Sequence, residues 1–225
     1  MTLLEKKLEE LFGYKKFRPG QKEIIESVLA GNDTIALLPT GLGKSLCYQL
    51  PAYIINKPVL IISPLLSLMQ DQVDQLKMNG EKRVIALNSF LQLREKKSAL
   101  NQLNTYRFIF TSPEMLTQPH VQEKIKSLDL GLIVADEAHC ISQWGFDFRP
   151  DYLKIGALID QNRPPILALT ATATNAVLID IEKFLNMRAV NHFIHPVNRS
   201  NIKLFKQVFE QKHEKTQWLM NHIAT

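Results

Sequence analysis

Six short apolar runs, each separated from the next by a much longer connection, constrain this chain more than any other feature. They are Thr34–Leu38, Val59–Ile62, Val84–Leu87, Phe108–Phe110, Leu132–Ala135 and Ile166–Leu169. Each is continuous rather than alternating in polarity. A strand reads this way when both of its faces are hidden, and burial on both faces marks a parallel sheet covered by helices. The connections are long enough to carry a helix back to the start of the next strand, as parallel pairing requires. The expected architecture is α/β, with three layers and a mainly parallel central sheet whose ligands bind at the carboxyl ends of the strands. At 225 residues the chain can form one large domain of this kind, or one domain and the start of another.

Two amphipathic segments precede the first run. Leu4, Leu8, Leu11 and Phe12 recur at helical spacing up to Gly13, a C-cap. Pro19 opens a second helix through Ile24, Ile25, Val28 and Leu29 that stops at Gly31. Beyond Asn191 the pattern changes to alternating apolar positions (Ile202, Leu204, Val208) and then a helical tail, Lys215–Ile223. We therefore expect one domain over residues 1–198, including the helices within 1–31, and the start of a second over 199–225. No apolar run reaches the length of a membrane span, and Met1–Lys7 lacks a signal-peptide core. A soluble, cytoplasmic protein without a membrane partner is the expectation. Lys and Arg outnumber Asp and Glu by 27 to 22, a balance that suits a polyanionic partner without requiring one. The two cysteines, Cys47 and Cys140, form no Cys-x-x-Cys pair and read as packing residues, not as zinc ligands or a disulfide.

Pro39-Thr40-Gly41-Leu42-Gly43-Lys44-Ser45 joins the first run to an apolar helix over Leu46–Ile55. Glycines let a loop curl its N–H groups inward, and the helix that follows aims its positive end at the same point, so the segment suits phosphate. Lys44 would reach the terminal phosphates and the Ser45 hydroxyl would ligate Mg²⁺. The first position of the motif is Leu38 rather than glycine. Asp136-Glu137-Ala138-His139 follows the run Leu132–Ala135. A carboxylate at the tip of a buried strand is costly without a cation, which makes Asp136 a second Mg²⁺ ligand. Glu137 is placed to orient or deprotonate the attacking water. Alone, two acids ending a strand read as a helix cap; it is the pairing with Lys44 that points to catalysis.

With both motifs in place, the chain resembles the superfamily 2 helicases and, within them, the RecQ family of ATP-dependent DNA helicases. Phe17-Arg18-Pro19-Gly20-Gln21 resembles the family's adenine-recognition motif, and Ser63–Gln72, reading SPLLSLMQDQ, its first strand-contacting motif. Asp136–Tyr152, reading DEAHCISQWGFDFRPDY, resembles the catalytic acids with the aromatic-rich loop peculiar to RecQ enzymes. Leu167–Thr174, reading LALTATAT, resembles the coupling motif, and Arg199-Ser200-Asn201-Ile202 the start of the second domain. The similarity covers nearly the whole chain.

The resemblance implies a RecA-like P-loop NTPase domain using ATP and Mg²⁺, the first of two in a monomeric motor. That motor moves 3′-to-5′ on single-stranded DNA and opens forked DNA during repair and recombination. ATP would sit on Leu38, Pro39, Thr40, Gly41, Leu42, Gly43, Lys44 and Ser45, with Gln21 reading adenine between Tyr14 and Arg18. Amide, phenol and guanidinium have the hydrogen-bonding edge and the flat faces for that work. His139, Thr170 and Thr172 would link the acids to the DNA surface, and Thr174 reads as a helix cap. Trp144, Phe146 and Arg149 would meet the strand, since an aromatic stacks on any unpaired base for about 1–3 kcal/mol. The family commonly has histidine where this chain has Phe146, so the hydrogen bond a histidine supplies is lost. Ser63, Gln70, Thr111 and Ser112 would contact the strand backbone, although a serine or threonine before proline is equally an ordinary N-cap. Without the second domain's arginines, the 225 residues alone are expected to bind nucleotide weakly and unwind nothing. Two other readings use the same motifs. One is a module that holds nucleic acid without translocating, which coding sequence past Thr225 would decide. The other is an RNA helicase, which stimulation by DNA against RNA would decide.

Overall fold

The computed structural model describes residues 2–88, 91–143, 148–158, 163–195 and 206–223. The elements run α1 (Leu3–Phe12), α2 (Gln21–Leu29), β1 (Thr34–Leu37), α3 (Leu46–Ile55), β2 (Val59–Ile62), α4 (Leu66–Met78), β3 (Val84–Leu87) and α5 (Leu93–Asn101). There follow β4 (Phe108–Thr111), α6 (Pro113–Leu116), α7 (Pro119–Lys126), β5 (Leu132–Ala135), α8 (Pro150–Leu153), α9 (Ile155–Leu158), β6 (Ile166–Thr170), α10 (Asn175–Phe184), β7 (Asn191–Ile194) and α11 (Lys212–Ile223). Short 3₁₀ turns sit at Leu103–Thr105 and Ala138–Ile141. The strands form one sheet in the order β3-β4-β2-β5-β6-β1-β7, every pairing parallel.

The six apolar runs are the five inner strands and the edge strand β3, each within a residue or so of its expected ends. Alternate residues feed opposite faces, as the pleat demands. Leu60, Ile62, Ile133 and Ala168 pack with Val177, Leu178 and Ile181 of α10 and with Val121 and Ile125 of α7. Ala36, Ile61, Phe110, Val134 and Leu167 pack with Cys47 and Tyr48 of α3 and Met69 and Val73 of α4. Both cysteines are buried, and burial pushes the Cys47 thiol up to about 12.

Two helix starts and one strand differ from the sequence expectation. The second helix starts at Gln21, not Pro19, because Gly20 is left-handed (φ 82°) and holds the N-cap position. The tail helix begins at Lys212, three residues before the expected Lys215. The seventh strand, β7, lay outside the pattern: it is an edge strand, largely exposed, and its Asn191-His192 start carries no continuous apolar signal. Thr2 and Glu5 form a reciprocal capping box on α1, which ends at left-handed Gly13 as expected. Among the described residues no helix is long and apolar enough to cross a membrane.

Gly156 marks a close approach between α9 and the end of α10. A Cβ there would lie 1.9 Å from the Phe184 carbonyl oxygen at the end of α10, and Asn186 Nδ2 donates to the Gly156 carbonyl at 2.9 Å. Backbone cannot yield as a side-chain tip can. Gly156→Ala should therefore destabilise the domain by about 1–3 kcal/mol, read as a lower urea midpoint at unchanged slope.

Candidate active site

The loop between β1 and α3 carries left-handed Gly41 (φ 88°) and Gly43 (φ 76°), with Ser45 at the N-cap position of α3. Leu38 does not belong to the ligand-facing part. Its side chain is fully buried in the core and its N–H donates to the Thr170 carbonyl at 3.0 Å, so the leucine anchors the loop where the usual motif has glycine. Pro39 is buried beside it; the turn proper runs from Thr40 to Ser45.

Helix α2 holds this loop from the side. Gln21 is 3% exposed; its Nε2 donates to the carbonyls of Leu42 (2.9 Å) and Gly43 (3.0 Å), and its Oε1 accepts from Arg18 N–H at 2.8 Å. The Arg18 guanidinium donates to the Gly41 carbonyl. A loop that turns its N–H groups to one side presents carbonyls on the other, and a buried amide must find partners. Gln21 is thus neither an exposed polar residue nor committed to a base alone. Tyr14 is 56% exposed, with a face open to solvent.

The order β5-β6-β1 brings the acids to the loop. Lys44 Nζ donates to Glu137 Oε1 at 3.1 Å, with both side chains mostly buried. Glu137 is left-handed (φ 48°, ψ 46°), a conformation that costs a non-glycine residue about 1–3 kcal/mol and that clusters at functional positions. Asp136 is 7% exposed and its Oδ1 accepts from Glu137 N–H at 3.0 Å. Burial pushes its carboxyl up and the Glu137 charge adds to this; Lys44 and the Glu137 N–H oppose them without prevailing, and the pKa rises from 3.8 to about 6. This is a buried carboxylate short of positive charge, one residue from another acid and close to Lys44. A divalent cation held by Asp136 and the Ser45 hydroxyl fits that deficit.

The sign follows directly. The folded pKa lies above the unfolded one, so the native state binds the proton more tightly and stability declines as pH rises from about 4 through 6. Two pKa units correspond to about 3 kcal/mol at neutral pH. In metal-free protein, Asp136→Asn should remove that decline. It should be more stable than the parent at pH 7, by on the order of 1–3 kcal/mol, and nearly equal to it at pH 4 in urea titrations.

From Glu137 the polar chain continues to β6. His139 Nδ1 lies 3.4 Å from Glu137 Oε2 and 3.0 Å from Thr170 Oγ1. The Thr170 hydroxyl donates to the Thr172 carbonyl (3.0 Å) and accepts from Thr172 N–H (3.3 Å), so the hydrogen shared with His139 sits on the histidine Nδ1. Thr170 is fully buried, whereas Thr172 is exposed. Thr174 caps α10, accepting from Val177 N–H at 3.4 Å. Tyr152, which nothing but its place in DFRPDY singles out among the residues, completes the floor. Its buried hydroxyl donates to the carbonyls of Asp136 (2.7 Å) and Ile62 (3.3 Å). Burial, with the Asp136 charge behind it, holds that phenol well above its ordinary range.

The candidate strand contacts divide. Thr111 is fully buried and donates to the Ser112 carbonyl at 3.4 Å; Ser112, 6% exposed, caps α6 by accepting from Met115 N–H at 3.3 Å. Both hydroxyls lie where α6 starts immediately after β4, and Ser112 fills the N-cap role that the sequence left open beside strand contact. Ser63 is 2% exposed and its Oγ is the one buried side-chain polar atom without a partner among the described residues. It does not cap α4, which begins at Leu66. Gln70 is exposed and donates to Asp74 at 2.9 Å. Arg149 reaches Glu114 at 3.5 Å, which brings the Thr111–Glu114 segment beside the end of the aromatic-rich stretch, where Phe148 is half-buried. Trp144 and Phe146 lie outside the described residues.

The family model for DEAD/DEAH box helicases matches residues 18–180. The chain is 54% identical over 205 residues to a probable ATP-dependent DNA helicase RecS of Bacillus subtilis, covering 91% of this chain and 41% of that protein. It is 40% identical over 219 residues to the ATP-dependent DNA helicase RecQ of Haemophilus influenzae, covering 96% of this chain and 35% of that protein. It therefore spans less than half the length of these relatives. Among solved structures, the DUF1998 helicase MrfA superposes with a TM-score of 0.69 at 21% identity, over 86% of this chain and 32% of that one, which shows a shared fold. The chain belongs to the DEAD/DEAH box helicase family and is similar, over nearly its whole length, to RecQ and RecS enzymes.

Proposed function

We propose that the full-length protein couples ATP hydrolysis to 3′-to-5′ movement along single-stranded DNA and so separates duplexes, working in the cytoplasm. This chain supplies the first RecA-like domain, over residues 1–198, and residues 199–225 begin the second. The observation that carries the reading is the unbroken path Lys44–Glu137–His139–Thr170, which ties the glycine loop to the acids and both to the coupling strand.

In this reading Lys44 exchanges Glu137 for phosphate, which frees the carboxylate to take a proton from the attacking water. Ser45 and Asp136 would hold Mg²⁺, which would supply charge neutralisation at the phosphates. Tyr14 and Arg18 flank the base. Gln21, already bonded to the loop, registers base and phosphates together. Exposed Thr172 and Gln70 and half-buried Arg149 meet the strand, and buried Ser63 carries a hydroxyl in need of a partner.

The test is ATP turnover by the purified full-length protein with and without single-stranded oligonucleotides. DNA should stimulate turnover more than RNA does, and Lys44→Ala should abolish it. Duplexes with 3′ tails should open and those with 5′ tails should not. The 225-residue piece alone should bind nucleotide weakly and separate no strands, lacking the arginines a second domain brings to the transition state. Absence of Lys44-dependent, DNA-stimulated turnover would overturn the reading.

A further inference from the structure

Tyr48 stands one turn into α3, three residues after Ser45. It is 1% exposed, with its ring edge-on to Phe110 of β4 at 6.5 Å. Phenylalanine would fill this volume, and a buried hydroxyl is costly unless it is bonded. The hydroxyl donates to Gln72 Oε1 on α4. Burial pushes the phenol up and the Asp136 charge adds to this, while polar contacts with the Ser45 and Gln49 side chains oppose them. Tyr48 therefore joins two places: its N–H donates to the Ser45 carbonyl at 3.2 Å in the first turn after the glycine loop, and its hydroxyl holds the last residue of the Ser63–Gln72 segment. Gln72 is turned inward, on the same helix that presents Gln70 to solvent.

We propose that Tyr48 is a positioning residue that couples the nucleotide site to the strand-contacting helix, its backbone following Ser45 and its hydroxyl passing the displacement to α4 through Gln72. This rests on the function proposed above. A second path, separate from the one through His139 and Thr170, then reaches the far side of the sheet: the His139 path runs along β6, whereas Tyr48 acts across α3 and α4. Coupling of this kind is a free energy shared by two sites and is reciprocal.

The experiment compares wild type, Tyr48→Phe, Gln72→Leu and the double variant of the full-length protein. Turnover is measured across ATP and oligonucleotide concentrations, with hydrogen exchange of residues 66–78 measured with and without Mg²⁺ and ADP. Tyr48→Phe should leave DNA-free turnover within about twofold and lower the stimulation by DNA about tenfold. Gln72→Leu should do likewise, and the double variant should lose no more than either single. Nucleotide should slow exchange in α4 of wild type but not of Tyr48→Phe. A tyrosine that merely packs would raise exchange equally with and without nucleotide, and that outcome overturns the proposal. So does unchanged stimulation in Tyr48→Phe, or strictly additive losses. A wild type that DNA does not stimulate would instead sink the motor reading itself, and this inference with it.

Discussion

Glu137→Gln should lower ATP turnover by about 10²–10⁴-fold while nucleotide affinity stays within a few-fold, because a positioned base contributes that much and binding does not need it. The substitution preserves size and can still accept from Lys44, which now lies 3.1 Å from Glu137 Oε1. It removes the proton acceptor and the charge. If Glu137 served only to neutralise Lys44, the amide would free the lysine and tighten nucleotide binding with little loss of turnover. Equilibrium binding of a fluorescent nucleotide, measured beside steady-state turnover in the full-length protein, separates the two cases. Loss of binding with no specific loss of kcat would rule out the role of base.

The second large effect lies at the opposite end of the sheet. Asp33, 4% exposed just before β1, accepts from Arg163 Nη1 (2.7 Å), Arg163 Nη2, Ile166 N–H (2.9 Å) and Arg188 N–H (2.6 Å). Arg163 also donates to the Asn186 carbonyl at 2.8 Å. One carboxylate thus joins the starts of β1 and β6 to the segment leading into β7. Asp33→Ala would strand a guanidinium that is 5% exposed and two backbone N–H groups, and should cost about 3–5 kcal/mol. That is a large share of the 5–15 kcal/mol typical of a domain, so the urea midpoint should collapse. Burial pushes the Asp33 carboxyl up, but the Arg163 bonds and the two N–H groups outweigh it and hold the pKa below 3.8. A depressed folded pKa contributes stability that is complete above the unfolded value and is lost as pH falls through the folded one. Wild-type stability should therefore fall as pH drops below about 4, and Asp33→Asn should flatten that fall. A midpoint in Asp33→Ala within measurement error of wild type would show the cluster to be ornamental.

The inner sheet was legible because strands buried on both faces must be apolar throughout. The edge strand β7 was not, since Asn191 and His192 face solvent on one side and carry no such signature. At the site, Lys44, Asp136 and Glu137 could be paired by residue type and spacing, because phosphate and metal chemistry leave few substitutes. The hydroxyls of Thr111 and Ser112 were ambiguous: the same residue before proline serves as a cap or as a phosphate clamp, and only the depth of the helix start decides. Gln21 was assigned a base-reading role, while its bonds to Leu42 and Gly43 join residues 21 and 22 positions apart, which periodicity does not reveal. Asp33–Arg163, 130 positions apart, was invisible for the same reason.

The last strand of the sheet lies against the first. β7 runs parallel to β1, and His195 N–H donates to the Leu37 carbonyl at 3.0 Å, so the polypeptide departs the sheet on the side where the glycine loop opens. In the proposed reading, where residues 199–225 begin a second domain, that domain would be tethered from a point beside the nucleotide pocket. Tethering of this kind would give it a high local concentration. Closing over the nucleotide would then be a first-order event that dilution does not slow.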